Sequence, residues 1–283
     1  MVALVFGGTG KVGSVAVRHL VSKGRSVRVF THSPDKVAGL PDDVEAAVGD
    51  LDKPETISPA FDGVDEVVLV LAVNPNEQDR GLAVVEAAKA ASVKRLVFIS
   101  LVHGPGTEEV PFYKSKRAIE AAFMHSDMEW AVIRSASFFQ SDAGLKGDIV
   151  DKGVFSAPIG STGVHRIDTR DVGYAVAEAL TREPFKTGEF CIFGPEPLTG
   201  ESIAAIYAEL LGKPIRYGGD DLDKWAEFKK DGFPEWSLNA LRPMYAYTQK
   251  CGMLPEPGEG KSNLLPENLI TFREFASEMV KSW

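Results

Sequence analysis

Glycines at positions 7, 8, 10 and 13 stand directly behind the apolar run Val2-Ala3-Leu4-Val5-Phe6 and directly ahead of a helical pattern. Nothing else in the chain restricts its fold as strongly. Gly8-x-Gly10-x-x-Gly13 allows a tight turn, lets the backbone approach a pyrophosphate, and lets the following helix pack close on the strand. The free N–H groups at the helix start, with the positive end of its dipole, then favour an anion without any basic side chain. The plain alternative is a structural strand-to-helix turn. The strand before and the helix after favour a dinucleotide held by Gly7, Gly8, Thr9, Gly10, Lys11, Val12 and Gly13.

Apolar strands alternate with helical patterns through the first two thirds of the chain, as in repeated βαβ units. Strands are predicted over 2–6, 26–30, 44–48, 66–72, 95–100, 130–134 and 189–193, and helices over 12–23, 34–39, 77–92, 111–126 and 171–181. Runs such as Val67-Val68-Leu69-Val70-Leu71 are apolar on both faces, which suits central parallel strands covered by helices. Ser33-Pro34 reads as an N-cap followed by Pro at the first helical position. Further helices are expected over 199–211 and 271–281, the second opened by the capping box Thr271-x-x-Glu274. The expected fold is α/β: a doubly wound parallel Rossmann sheet with a smaller, mainly C-terminal substrate lobe. Residues 1–140, completed by 166–195, form the dinucleotide-binding core, and 141–165 with 196–283 form the lobe. Aromatics among the charged residues of 218–236 either wall a substrate cleft or only fix the lobe to the core.

The 283 residues carry a formal net charge of -9 and no block of like charge, which argues against a nucleic-acid partner. Cys191 and Cys251 are too few for a disulfide framework, so a reducing cytoplasm is expected, with both cysteines as packing residues. No apolar run approaches a membrane span, and no leader-like segment precedes the first strand, so a soluble, unprocessed chain is expected. The histidines and cysteines show neither H-E-x-x-H nor C-x-x-C spacing, so no metal site is expected. Oligomeric state is not encoded legibly, which leaves room for a homodimer.

Cofactor choice should be decided at the end of the second strand, where an acid would bind the ribose 2′-hydroxyl of NAD. The chain reads Phe30-Thr31-His32-Ser33-Pro34-Asp35-Lys36 there, and Asp35 is already explained as a first-turn helix residue. Thr31, His32, Ser33 and Lys36 instead offer donors and positive charge to a 2′-phosphate, which favours NADP over NAD. After the third strand, Asp50 is placed to accept from the adenine amine and Leu51 to cover the ring. The alternative for Asp50 is a turn cap.

Chemistry should lie past the ends of the fourth to sixth strands, around Ala72-Val73, Ser100 to His103, and Ser135 to Gln140. Ser100 could bind the nicotinamide ribose or a substrate carbonyl, or close its strand with an ordinary hydrogen bond. A Tyr-x-x-x-Lys pair places both side chains on one helix face, where the ammonium lowers the phenol pKa. Four residues before Lys116 stands Phe112, and Tyr113 is one place off. Either Tyr113 swings into the site or no tyrosine acid is used. Lys116 could hold the nicotinamide ribose or act as a general acid, against the ordinary fate of a solvent-exposed lysine. His103 and His165 could donate a proton to substrate, or be polar surface. The hydrolase elbow G-x-S-x-G is absent.

Gly7-Gly8-Thr9-Gly10-x-x-Gly13, Gly49-Asp50, the segment from Ala87 to Ser100, Ser115-Lys116 with Glu120, Ile133-Arg134-x-x-x-Phe138-Phe139, Asp168-Thr169-Arg170-Asp171-Val172 and Thr271-Phe272-Arg273-Glu274-Phe275 together resemble the NmrA-like atypical short-chain dehydrogenases. The resemblance covers nearly the whole chain. It implies cofactor contacts from Gly7 to Gly13, Thr31 to Ser33, Asp50-Leu51, Leu71-Ala72-Val73, Lys116 and Ala136-Ser137-Phe138-Phe139. Phe138, Phe139 and Gln140 look like the wall against which nicotinamide and substrate pack, with Phe138 equally credible as a core aromatic. The family often has Arg where this chain has His32, which weakens the NADP argument. The expected function is an NADPH-dependent reductase acting on a small apolar or aromatic acceptor such as a quinone, enone, ketone or imine. His103, Phe112, Phe139 and Gln140 would meet that substrate. The alternatives are a non-catalytic redox sensor and an epimerase or isomerase.

Overall fold

The computed structural model describes residues 1–104, 106–108, 110–252 and 262–283. Among the described residues nine strands are formed: β1 (Val2–Phe6), β2 (Ser26–Thr31), β3 (Glu45–Val48), β4 (Glu66–Leu69), β5 (Arg95–Leu101), β6 (Glu129–Ser135), β7 (Val154–Phe155), β8 (Gly188–Ile192) and β9 (Arg216–Tyr217). The helices among the described residues are α1 (Gly13–Ser22), α2 (Glu77–Ala90), α3 (Pro111–Met124), α4 (Lys146–Val150), α5 (Thr169–Thr181), α6 (Gly200–Leu211), α7 (Leu222–Lys229), α8 (Glu235–Cys251) and α9 (Phe272–Val280).

Seven strands make one parallel sheet in the order β3-β2-β1-β4-β5-β6-β8. The chain winds outward through β2 and β3, returns to the other side of β1 at β4, and winds the opposite way. That reversal opens a crevice beyond the carboxyl ends of β1 and β4. Strand β1 shows why its sequence is apolar throughout. Ala3 and Val5 face one core with α1 and α5, while Leu4 and Phe6 face a second with α2 and α3, all fully buried. The two faces together remove water from every side chain of the strand's interior, worth about 1.5–3 kcal/mol for each large apolar group.

A third core lies outside the sheet, built from Phe139, Leu145, Phe155, Ile203, Tyr207, Phe272 and Phe275 among others. The small pair β7–β9 and helices α4, α6 and α9 surround it. A buried ionic cluster ties it to the sheet: Arg166 bonds both oxygens of Asp142 at 3.2 and 2.6 Å and also the Phe138 carbonyl, and Tyr207 donates to Asp142 at 2.9 Å.

Several local expectations are corrected. The fourth strand ends at Leu69, three residues short of Ala72, because the chain leaves the ladder to wall the crevice. Residues 34–39 form a 3-10 turn with Pro34 at its start, and the Ser33 side chain does not cap it. Helices α7 and α8 occupy a region where the sequence rhythm had faded. For α7 a start signal is present: Asp221 accepts from the backbone N–H groups of Asp223 and Lys224, both at 3.0 Å. Among the aromatics there, Trp225 is buried against Tyr245, whereas Phe228 and Trp236 are exposed.

Candidate dinucleotide site

The glycine turn is built by close approach. Gly7 adopts φ +75°, and a Cβ there would fall 2.3 Å from the Val70 carbonyl oxygen. A Cβ on Gly13 would fall 2.2 Å from the Gly7 carbonyl oxygen, so only glycine lets α1 start this near the turn. Helix α1 then aims its free N–H groups into the crevice.

A cavity of about 440 Å³ occupies the β2–β1–β4 side of that crevice. Gly7, Thr9, Thr31, His32, Lys36, Asp50, Leu51, Leu71 and Ala72 line it. Gly49, next to Asp50 after the third strand, lines it as well, and so do Phe30, Asp52, Val70, Asn74 and Arg80, which carry no local signal of a cofactor role. Arg80 forks onto Asp52, binding one oxygen at 2.7 Å, and this pair joins the loop after β3 to the first turn of α2. The Asp50 side chain accepts from the Asp52 N–H at 3.0 Å, so it caps its own turn as well as facing the cavity. Thr31 accepts from the Ser33 N–H at 3.0 Å, which fixes the bend that presents His32 and Lys36. A glycine-rich turn, a hollow of this size, and two exposed bases at its rim fit a dinucleotide and its phosphates.

Beyond β4 and β5 the site changes character. Lys116 is almost wholly buried, contrary to the ordinary fate of a lysine. Its ammonium lies 2.7 Å from Glu77 Oε1, donates to the Ile99 carbonyl at 3.2 Å, and sits 4.9 Å from the centre of the Phe98 ring. Tyr113 is fully buried, its hydroxyl without a hydrogen-bond partner among the described residues, and it stands edge-on to His103 and Tyr247 at ring separations of 6.4 and 6.2 Å. Burial, reinforced by Tyr247, pushes its phenol well above the usual range, so it stays protonated. The lobe helix α8 supplies Tyr247, whose hydroxyl packs so closely on Gly104 that a Cβ there would lie 2.7 Å away.

A network runs behind this end. Arg117 donates to His103 Nδ1 at 3.3 Å, so the ring carries its proton on Nε2, facing Glu120 at 3.7 Å. Arg134 binds Glu120 at 2.7 Å and Glu189 at 2.7 Å. Burial alone would raise the Glu120 pKa, but the neighbouring His103, Arg134 and Ser100, with Arg134 hydrogen-bonded to the carboxylate, outweigh it and bring it down to about 2. His103 Nε2 stops short of hydrogen-bond distance from Glu120, and among the described residues neither it nor the fully buried Ser100 hydroxyl has a hydrogen-bond partner.

Several expected contacts are not brought to the crevice. Phe139 is fully buried in the third core, 5.2 Å from the Phe272 ring and 5.5 Å from that of Phe275, so it cannot form a ligand wall. Phe138 is the half-buried one of the two. Ala136 is fully buried because its N–H continues the pairing towards β8, bonding the Ile192 carbonyl. The Gln140 side chain accepts from the Thr169 N–H at 3.0 Å at the start of α5, and its carbonyl receives the Lys11 ammonium at 2.9 Å. Gln140 and Lys11 instead line a separate hollow of about 430 Å³ against α9. Val12 is buried beneath α1, Phe112 is buried in the first turn of α3, Val73 is exposed, and the Ser137 carbonyl pairs with the Ile167 N–H. His165 bonds the Gly194 carbonyl, away from the crevice. Among the described residues no cluster of three potential metal ligands occurs, and no helix is long and apolar enough to cross a membrane.

A doubly wound sheet with a glycine turn at its switch point defines a Rossmann-type NAD(P)-binding protein. The chain belongs to the NAD(P)H-binding family, which it matches over residues 7–183. It is 29% identical over 245 residues to the NAD(P)H azoreductase of Xenophilus azovorans, covering 86% of each chain. It is 31% identical over 216 residues to a (4-alkanoyl-5-oxo-2,5-dihydrofuran-3-yl)methyl phosphate reductase of Streptomyces griseus, covering 76% of this chain and 75% of that one. In fold it is similar to an NADPH-dependent quinone oxidoreductase of Escherichia coli solved with NADPH, with a TM-score of 0.86, 19% identity, and coverage of 99% and 100% of the two chains.

Proposed function

We propose that the protein is an NADPH-dependent reductase of a small apolar or aromatic acceptor: a quinone, enone, ketone or imine. The observation that carries this reading is the buried Tyr113 hydroxyl, which has no hydrogen-bond partner among the described residues. A buried donor without an acceptor costs about 1–3 kcal/mol, and an acceptor oxygen or nitrogen would remove that cost. When bound, NADPH supplies the hydride. The chain supplies the rest. His32 and Lys36 face the 2′-phosphate, the turn from Gly7 to Gly13 faces the pyrophosphate, and Lys116 holds the hydroxyls of the nicotinamide ribose. Tyr113, kept protonated by burial, hydrogen-bonds the acceptor as its reduced atom gains charge, and passes it the proton that accompanies the hydride. Residues 141–165 and 196–283 act as the lobe that covers this end and excludes water, with Tyr247 of α8 as the nearest cover. The azoreductase and phosphate-ester reductase relatives support a reductase reading.

The direct test mixes purified protein with NADPH and a panel of quinones, enones, ketones and imines and follows nicotinamide absorbance. Oxidation with at least one class, lowered at least tenfold by Tyr113→Phe, is expected. Tight NADPH binding with no oxidation across the panel would replace this reading with a dinucleotide-sensing one. Lys36→Ala with His32→Ala should weaken NADPH binding and leave NADH binding unchanged; equal losses would remove the 2′-phosphate assignment.

A further inference from the structure

We propose that Glu77 is a positioning residue for the nicotinamide half of the site: it aims the Lys116 ammonium at the ribose hydroxyls. The inference rests on the reading of Lys116 given above. Glu77 opens α2, on the wall of the crevice that follows β4, and its N–H bonds the Asn74 carbonyl at 3.1 Å. It is 1% exposed, and a carboxylate so buried persists only with partners. Two come from α3, far along the chain. Ser115 donates to Oε2 at 2.7 Å, which turns the carboxylate so that Oε1 faces Lys116 at 2.7 Å.

Lys116 has three N–H donors. The Ile99 carbonyl takes one, from β5, at 3.2 Å. Glu77 Oε1, from α2, holds the ammonium as an ion pair at 2.7 Å and has no hydrogen-bond partner of its own among the described residues. The Phe98 ring, also from β5, lies under the ammonium. Charge, carbonyl and ring, on separate elements, fix the place of the ammonium and leave donors for a ligand. The cavity's cationic rim assigns the adenosine half to the β2 side, so the nicotinamide ribose falls past β4 and β5, beside this ammonium. A lysine on four rotatable bonds has high rotamer entropy, and an anionic partner that pre-orients it lowers the cost of each ribose hydrogen bond. The same pair read as a mere staple between α2 and α3 would steady the fold and leave ligand affinity alone.

The experiment compares two ligands by titration calorimetry: intact NADPH, and 2′,5′-ADP, which carries the adenosine half but no nicotinamide ribose. Glu77→Gln should weaken NADPH about tenfold and leave 2′,5′-ADP unchanged. Glu77→Asp, which keeps the charge but retracts it, should recover part of the loss. In a Lys116→Met background, Glu77→Gln should cost nothing further for NADPH. Equal weakening of both ligands by Glu77→Gln would overturn the proposal and leave a staple. Loss of NADPH affinity in Lys116→Met without any in Glu77→Gln would overturn it alone, whereas unchanged affinity in Lys116→Met would overturn the ribose role of Lys116 and the proposal with it. Should Glu77→Gln fail to fold, the charge-free pair Glu77→Leu with Lys116→Met, which strands no ion, is compared with Lys116→Met. Equal NADPH affinity supports the proposal, and a further loss contradicts it.

Discussion

Single residues divide between those whose role is written locally and those whose role depends on distant partners. The glycine turn is local: strand, turn and helix are contiguous, so sequence alone places Gly7 to Gly13. Gly13→Ala should abolish measurable NADPH binding, because its Cβ would strike the Gly7 carbonyl at 2.2 Å; retained binding would show that the turn can open. Phe139 is the opposite case. Its neighbours Phe272 and Phe275 come from the far end of the chain, so proximity to β6 suggested a ligand wall where the fold makes a core. Phe139→Ala should cost about 3–5 kcal/mol in denaturant unfolding without altering the NADPH-to-NADH preference. Glu77 likewise carried only a helix-start signal, since Lys116 meets it across α2 and α3. Glu120 gives a pH prediction. Its folded pKa of about 2 lies below the ordinary glutamate value of 4.5, so the stabilisation is complete above that value and is lost as pH falls from 4.5 towards 2. The loss is on the order of 3 kcal/mol, and Glu120→Gln should flatten acid unfolding in that window.

At the scale of elements, the alternation of strand and helix was legible because central parallel strands must be apolar on both faces, and β1, β4 and β5 are. Helices α7 and α8 were not, because charged residues between their aromatics blur a 3.6-residue period and Pro243 lies inside α8. Their stability comes from contacts such as Trp225 on Tyr245, which a local pattern does not carry. Helix pairing makes its own prediction. Gly173 on α5 sits so close to α1 that a Cβ would meet the Val15 side chain at 2.5 Å and the Val12 carbonyl at 2.9 Å. Gly173→Ala should push α1 outward, lowering the melting temperature and weakening cofactor binding together, since α1 begins at the dinucleotide turn. A lowered melting temperature with unaltered affinity would show that the turn is insulated from this packing.

For the whole molecule, the fold class was legible from the order of elements, and the join between sheet and lobe was not. That join is the buried cluster of Arg166, Asp142 and Tyr207. Asp142→Ala strands the Arg166 charge and should cost about 3–5 kcal/mol, whereas Asp142→Leu with Arg166→Met should cost far less; calorimetric unfolding of both variants checks the difference. The placement of Tyr247 over Tyr113 has a kinetic consequence. His32 and Lys36 stand at an exposed rim, while the phenol at the other end lies under a helix of the lobe. For the reductase proposed above, the expected order is nucleotide first and acceptor second, with the oxidised nucleotide departing last. Product-inhibition patterns would report that queue as competition between the reduced and oxidised nucleotides alone.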